Sequence, residues 1–321
     1  MWKFTVRRLL IMIPQVIALS IIVFILAKFM PGDALTGEIN PEADPERIAE
    51  IREKLGLNDP WPKQYKDWVV GIVTEGDFGK SYTHKRPVTS IIGERVINTI
   101  WLSLASLILI YVIALPLGIL SGRYHGSWID QTVTAYTYLG FGTPLFIFGL
   151  VMLWFFGYFL GWFPTGGSVS PGLESGTLEY VLSKIKHLLL PAISIALIST
   201  VSTVQYLRNE IVDVKQQDFV LTARAKGASE RRVYNRHIFR NSLLPIAAFF
   251  GYEIVGLIGG TIFIEMIYAY PGMGELFLSS IISRDSALVT ALVLLYGVGA
   301  IIGTLLSDIT LSIVDPRIRI K

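Results

Sequence analysis

Residues 9–27 run for nineteen positions without a charge, and that feature restricts the chain more than any other. As a helix rising ~1.5 Å per residue the run extends roughly 29 Å, about the thickness of the hydrocarbon layer of a bilayer. A stretch of this kind forms either a membrane span or a secretory leader. Lys3, Arg7 and Arg8 precede it, as they would in a leader, but no small-x-small cleavage pattern follows; Lys28, Phe29, Met30 and Pro31 come next. A retained first span is expected.

Comparable apolar stretches occupy residues 97–120, 133–160, 187–207, 243–265 and 287–314, so six transmembrane helices are expected. The overall composition agrees, with 52% hydrophobic and 17% charged residues and a mean hydropathy of +0.54. Such a chain belongs in lipid. The absence of cysteine removes disulfides, thiolate metal sites and thiol nucleophiles from consideration. A net charge of +3 is too small to suggest a nucleic-acid partner and is better explained by membrane orientation.

That orientation can be read from the short connections. With the amino terminus inside, fifteen Lys and Arg residues fall on the inner side, eight of them between Arg208 and Arg240. Only Lys184, Lys186 and Arg284 fall in the short outer loops, so both termini are expected in the cytoplasm. Residues 31–95 are exempt from this count because long loops translocate largely regardless of charge. They read as a small helical extracytoplasmic insertion, with helices at 45–55 and 62–73, the second closing near Gly76. The organisation expected is a first segment 1–30, the insertion 31–95, and a five-helix core 96–321 containing an inner loop 208–241.

Pro14, Pro116, Pro144 and Pro191 lie within spans and Pro245 at the entry to the fifth. Lipid tolerates a broken backbone hydrogen bond only where neighbouring helices or a wet cavity satisfy the freed carbonyl, so these spans should pack on one another. Gly299 and Gly303, and the cluster Gly256, Gly259 and Gly260, are candidates for close helix approach. Glu253 and Asp308 stand inside spans, where a charge costs about 2.5–3.5 kcal/mol on insertion scales. Each needs a partner or water. Glu253 is either a pathway residue or a hydrogen-bonded packing residue, and Asp308 is expected near the inner interface.

Enzymatic chemistry finds no foothold. Gly79, Lys80 and Ser81 look like the end of a phosphate-binding loop, but that motif needs a glycine where Thr74 stands. His84, His125, His187 and His237 show no metal-ligand spacing, so no catalytic or metal-binding residue is assigned.

The inner loop carries more information. Asp218 is a good N-cap, residues 219–226 are fair helix formers, and Gly227 suits the position just past a helix end. A self-capped helix of eight residues is expected there. A second start follows at Ser229, and Arg232, Arg236 and Arg240 then recur at every fourth position, a cationic stripe suited to a headgroup surface.

The run from Asp218 through Phe219, Val220, Leu221, Thr222, Ala223, Arg224, Ala225, Lys226 and Gly227 to Ala228 strongly resembles the dipeptide and oligopeptide branch of ABC importer permeases, as do His237, Arg240, Asn241 and Pro245 downstream. So do Leu55–Pro60, Gln64 and Tyr65, the segment from Gly76 to Tyr82, Tyr270–Gly274, and the closing Asp315, Pro316 and Arg317. In the general signature of such permeases, Glu and the first Ala would stand at Leu221 and Thr222, and Leu-Pro at Phe239 and Arg240. The missing Glu leaves Arg224 and Lys226 as the implied polar contacts.

The resemblance implies a type I importer permease of six helices in a prokaryotic inner or plasma membrane. Its implied coupling helix to an ATPase is 219–226, with Asp218, Phe219, Thr222, Ala223, Arg224, Ala225, Lys226 and Gly227 as contact residues. It further implies a second homologous permease, two ATP-binding-cassette domains that hold ATP and magnesium, and an extracytoplasmic substrate-binding protein. The chain itself would bind no cofactor. Peptides are the implied substrate, with nickel complexes or oligosaccharides as alternatives within the same mechanism. An ion-coupled secondary carrier is the alternative of a different class.

Overall fold

The computed structural model describes residues 2–30, 53, 56, 58–243, 246, 253 and 261–314. The described part is helical, with a single isolated bridge between Lys80 and Pro87. Helix α1 is Trp2–Phe29, α2 is Trp61–Val70, α3 is Val88–Arg123 and α4 is Trp128–Phe141. Next come α5, Leu145–Met152, which continues through a wider turn at Leu153–Phe159, and α6, Leu178–Lys215. The basic loop contributes α7, Asp218–Ala225, and α8, Glu230–Val233, which runs on through Tyr234–Phe239 to Arg240–Ser242. The last part holds α9, Ile262–Ile267, α10, Met273–Ile282, and α11, Ser286–Val314.

Helices α1, α3, α6 and α11 are long and apolar enough to cross a membrane, and they cover the expected first, second, fourth and sixth spans. The expected third span is not one straight helix. Its two halves, α4 and α5, meet at an angle of 103°. Proline explains the break: Pro144 has no N–H to continue the ladder, and its ring drives the preceding residue out of the helical region. Both halves nevertheless contact α6, the second at earlier positions of it than the first. Thr137 donates to Gln205 at 3.2 Å, Tyr136 bonds the Leu197 carbonyl, and Met152 and Leu153 join Leu190 and Ile195 in one apolar cluster. Most of the expected fifth span, 243–265, lies outside the described residues, as do Pro245, Gly256, Gly259, Gly260, all but Glu53 of the insertion helix expected at 45–55 and the closing Asp315–Arg317.

The core is the seam between α3 and α6. A Cβ on Gly118 would lie 3.0 Å from Leu207, and one on Gly122 would lie 2.7 Å from Ile211, so the two backbones approach as small residues allow. Helix α1 packs separately along α11, where Leu19 would come within 2.5 Å of a Cβ at Gly297. Gly299, expected at such a contact, has no atom within 4 Å of the equivalent position. Asp308 pairs with Arg8 at 3.1 Å and joins these two helices.

The insertion is held at two places. Helix α2 leans on α1 through Tyr65, whose hydroxyl bonds Ser20 at 2.8 Å and whose ring meets Phe24 edge-on. It continues through a wider turn at Gly71–Glu75, which closes, as expected, at Gly76 in a left-handed conformation. The turn after Gly79 is fastened to the start of α11 through Asp285, and Ser81 is committed to that carboxylate.

At the same end, Glu265 is fully buried between α3 and α10. Its carboxylate accepts from Thr261 at 3.0 Å, Thr99 at 3.2 Å and the Glu275 N–H at 2.9 Å. A negative group at the first turn of α10 complements the orphan N–H groups there. Tyr268, at the end of α9, bonds both Ser194 on α6 and the Gly149 carbonyl on α5.

Candidate functional site

Helix α6 stops at Lys215, and the chain turns through Gln216 and Gln217 into α7. The N-cap is Gln217, which is extended and makes no side-chain cap bond; Asp218, expected in that role, is the first helical residue. A carboxylate in the first turn still complements the helix dipole, so the shift by one position leaves the electrostatic benefit in place. The far end is as expected in form. Gly227 has φ of 76°, its N–H donates to the Arg224 carbonyl at 2.9 Å, and Ala228 N–H reaches back to Ala223 at 3.2 Å. Those two bonds make a Schellman motif, which needs a residue free to adopt the left-handed conformation.

One side of α7 faces the protein. Val220 is fully buried and Ala223 nearly so, packed in a cluster with Leu207, Ile211, Val214, Val233 and Ile238. Full burial of a valine side chain contributes about 1.5–3 kcal/mol, enough to seat a helix of two turns. The other side is open. Phe219 is 43% exposed and Leu221 53%, and Asp218, Thr222, Arg224, Ala225, Lys226 and Gly227 are exposed beside them.

Of the residues expected to form the contact surface, Ala223 therefore points inward. Arg224 is engaged within the chain, where its guanidinium pairs with Glu230 at 3.0 Å and 3.3 Å. Leu221, which stands where the general signature has Glu, is the apolar centre of the open face. Its hydrophobicity on a predicted helix surface was the available signal.

The loop grips the end of α3 from both sides of α7. Before it, Lys215 Nζ donates to the carbonyls of Gly122 and Arg123 at 3.2 Å and 3.0 Å, occupying acceptors that a helix end leaves without partners. After it, the Arg123 guanidinium lies 4.9 Å from the ring centre of Tyr234, and the Tyr234 hydroxyl donates to the Ile119 carbonyl at 3.4 Å. The second helix starts after Ser229 as expected. Arg232, Arg236 and Arg240 are all exposed along it.

Glu253 lies deeper in the bundle and is half-buried. It accepts a hydrogen bond from the Tyr111 hydroxyl of α3 and another, at 3.2 Å, from Thr203 of α6. The structure thus supplies the partners that an acid in a span requires.

Two family models together span nearly the whole chain. "Binding-protein-dependent transport system inner membrane component" matches residues 114–320, and the corresponding N-terminal model matches 1–105. The oligopeptide transport system permease protein AppB of Bacillus subtilis is 38% identical over 99% of this chain and 100% of the relative. The glutathione transport system permease protein GsiC of Salmonella choleraesuis is 31% identical over the full length of both. A solved structure titled for inward facing conformations of the MetNI methionine ABC transporter has a TM-score of 0.55 at 15% identity. It covers 71% of this chain and 97% of its own, so the likeness is one of fold. Full-length similarity to two transport permeases, on a helical membrane fold shared with a third, leads to one assignment: the chain is a multi-pass member of the binding-protein-dependent transport system inner membrane component family, in its peptide ABC importer permease branch.

Proposed function

We propose that this chain imports small peptides, glutathione-like ones included, by forming one half of a pathway whose other half is a second, similar permease. Helix α7 docks on an ATP-binding-cassette subunit, and a substrate-binding protein delivers peptide at the opposite end. ATP and magnesium belong to the ATPase subunits, and this chain is a transport subunit without an ATPase site of its own. The basic loop lies in the cytoplasm with both termini, and the insertion lies outside. Glu253, between α3 and α6, borders the pathway.

One observation carries the reading: α7 is seated by Val220 and Ala223 while Phe219 and Leu221 remain open. Two large apolar side chains on a polar, self-capped loop are what a helix presents to a groove in a partner. The names of the full-length relatives favour peptides.

The test is purification of the tagged permease with its partners, followed by reconstitution. The proposal predicts an ATPase in the complex and peptide uptake that vanadate abolishes. Leu221→Asp should prevent ATPase retention while leaving the permease folded. Uptake driven by an ion gradient without any ATPase would contradict the proposal and favour a secondary carrier.

A further inference from the structure

We infer that Asp130 and Arg208 are positioning residues for the transport stroke, locking α4 to α6 so that α4 swings with the coupling helix about the bend at residues 142–144. This rests on the role proposed for α7 and adds the path by which its movement reaches the bundle.

Asp130 stands in the first turn of α4 and is only 3% exposed. Its carboxylate receives a two-pronged contact from Arg208, Nε at 2.6 Å and Nη2 at 2.8 Å. The Ser121 hydroxyl donates to it at 2.5 Å and the Gly126 N–H at 2.8 Å, and His125 Nδ1 stands 3.0 Å away. One buried acid thus joins the end of α3, the turn between α3 and α4, α4 itself and α6. A bidentate guanidinium–carboxylate contact fixes orientation as well as distance, which a flexible lysine contact would not.

Placement gives this junction its mechanical meaning. Arg208 lies on the same unbroken helix that ends at Lys215, immediately before α7. A push on α7 therefore reaches Arg208 through a rigid rod. On the other side of the pair, α4 runs only to Phe141 before the 103° break. A short helix fixed to α6 by Asp130, bonded to it again through Tyr136 and Thr137, and separated from α5 by the break at Pro144 is a lever with a defined pivot. Lys215 and Tyr234 hold the end of α3 to the same loop, so α3, α4 and α7 share one moving base.

Because the chain has no cysteine, spin labels can be placed at chosen pairs in the complete complex. Trp128, 75% exposed at the start of α4, is paired first with Gln216 beside α7 and then with Tyr158, 68% exposed beyond the break. Between the nucleotide-free and vanadate-trapped complexes the 128–216 distance should stay constant while the 128–158 distance shifts. Asp130→Asn should broaden the 128–216 distribution and lower peptide imported per ATP hydrolysed roughly tenfold, an ordinary size for a coupling between sites. The double variant Asp130→Asn with Arg208→Gln should be no worse than the poorer single variant.

A 128–216 distance that changes on trapping in the unmodified pair overturns the lever, and so do additive effects of the two substitutions. If the complex assembles and turns over while that distance changes, only the lever fails. If no ATPase accompanies the permease, the role proposed for α7 fails first.

Discussion

The Ser81 hydroxyl donates to the Asp285 carboxylate at 2.5 Å across 204 positions of sequence, and both residues are buried. The same acid accepts the Thr83 N–H at 3.1 Å and, through its other oxygen, the Leu288 N–H at 3.3 Å. One side chain therefore caps α11 and pins the insertion to it. Asp285→Asn should destabilise the protein by about 1–3 kcal/mol, the cost of buried hydrogen-bonding groups left without partners. Thermal unfolding in detergent checks this, and tryptic cleavage at Lys80 and Lys85 should accelerate. Unchanged cleavage would show that the insertion is held elsewhere.

Gly272 and Glu265 give a sharper expectation. A Cβ at Gly272 would lie 2.3 Å from the Glu265 carboxyl carbon, and Glu265 is enclosed by its hydrogen-bond partners. Gly272→Ala should cost about 1–3 kcal/mol by overpacking. The expected readout is a lower unfolding temperature and a smaller monodisperse fraction on gel filtration. A variant as stable as the parent would mean the turn at Tyr270–Gly274 relaxes freely.

At Gly227 the backbone conformation decides. With φ of 76°, alanine should be tolerated at a cost of about 1 kcal/mol, whereas proline, fixed near −65°, cannot form the turn. Gly227→Pro should insert into membranes normally but hydrolyse ATP without importing peptide. Full coupling in that variant would contradict the role given to α7.

Glu253 accepts from Tyr111 and Thr203 at the junction of α3 and α6. If it borders the pathway, Glu253→Gln should slow peptide uptake several-fold in proteoliposomes without loss of assembly. Uptake unchanged across pH and across peptides would leave Glu253 a packing residue.

Much of this architecture was legible in the sequence because apolar run length maps directly onto helices that cross lipid. Helices α1, α3, α6 and α11 follow from that alone. The eight-residue length of α7 and the glycine at its end were also legible, since capping is local chemistry. The N-cap was not: Gln217 takes the position by backbone conformation without a capping side chain, so the preference of Asp218 for it decided nothing.

Long-range relationships were the harder part. Pro144 signalled a disturbance, but the size of a bend depends on what each half packs against. The spacing of Gly299 and Gly303 gave a period without a phase, and the close approach fell at Gly297. Asp130 and Glu265 passed unnoticed because their meaning lies in distant partners; Arg208 is 78 positions from Asp130. An isolated acid at the edge of an apolar run was the only signal they offered.

Maleimide labelling of Leu221→Cys, in membranes that contain no other accessible thiol, tests the central claim most directly. The account predicts that this thiol reacts from the cytoplasmic side in the permease alone and is protected once the ATPase subunits are bound. Labelling from the exterior, or equal labelling with and without the ATPase, would contradict it.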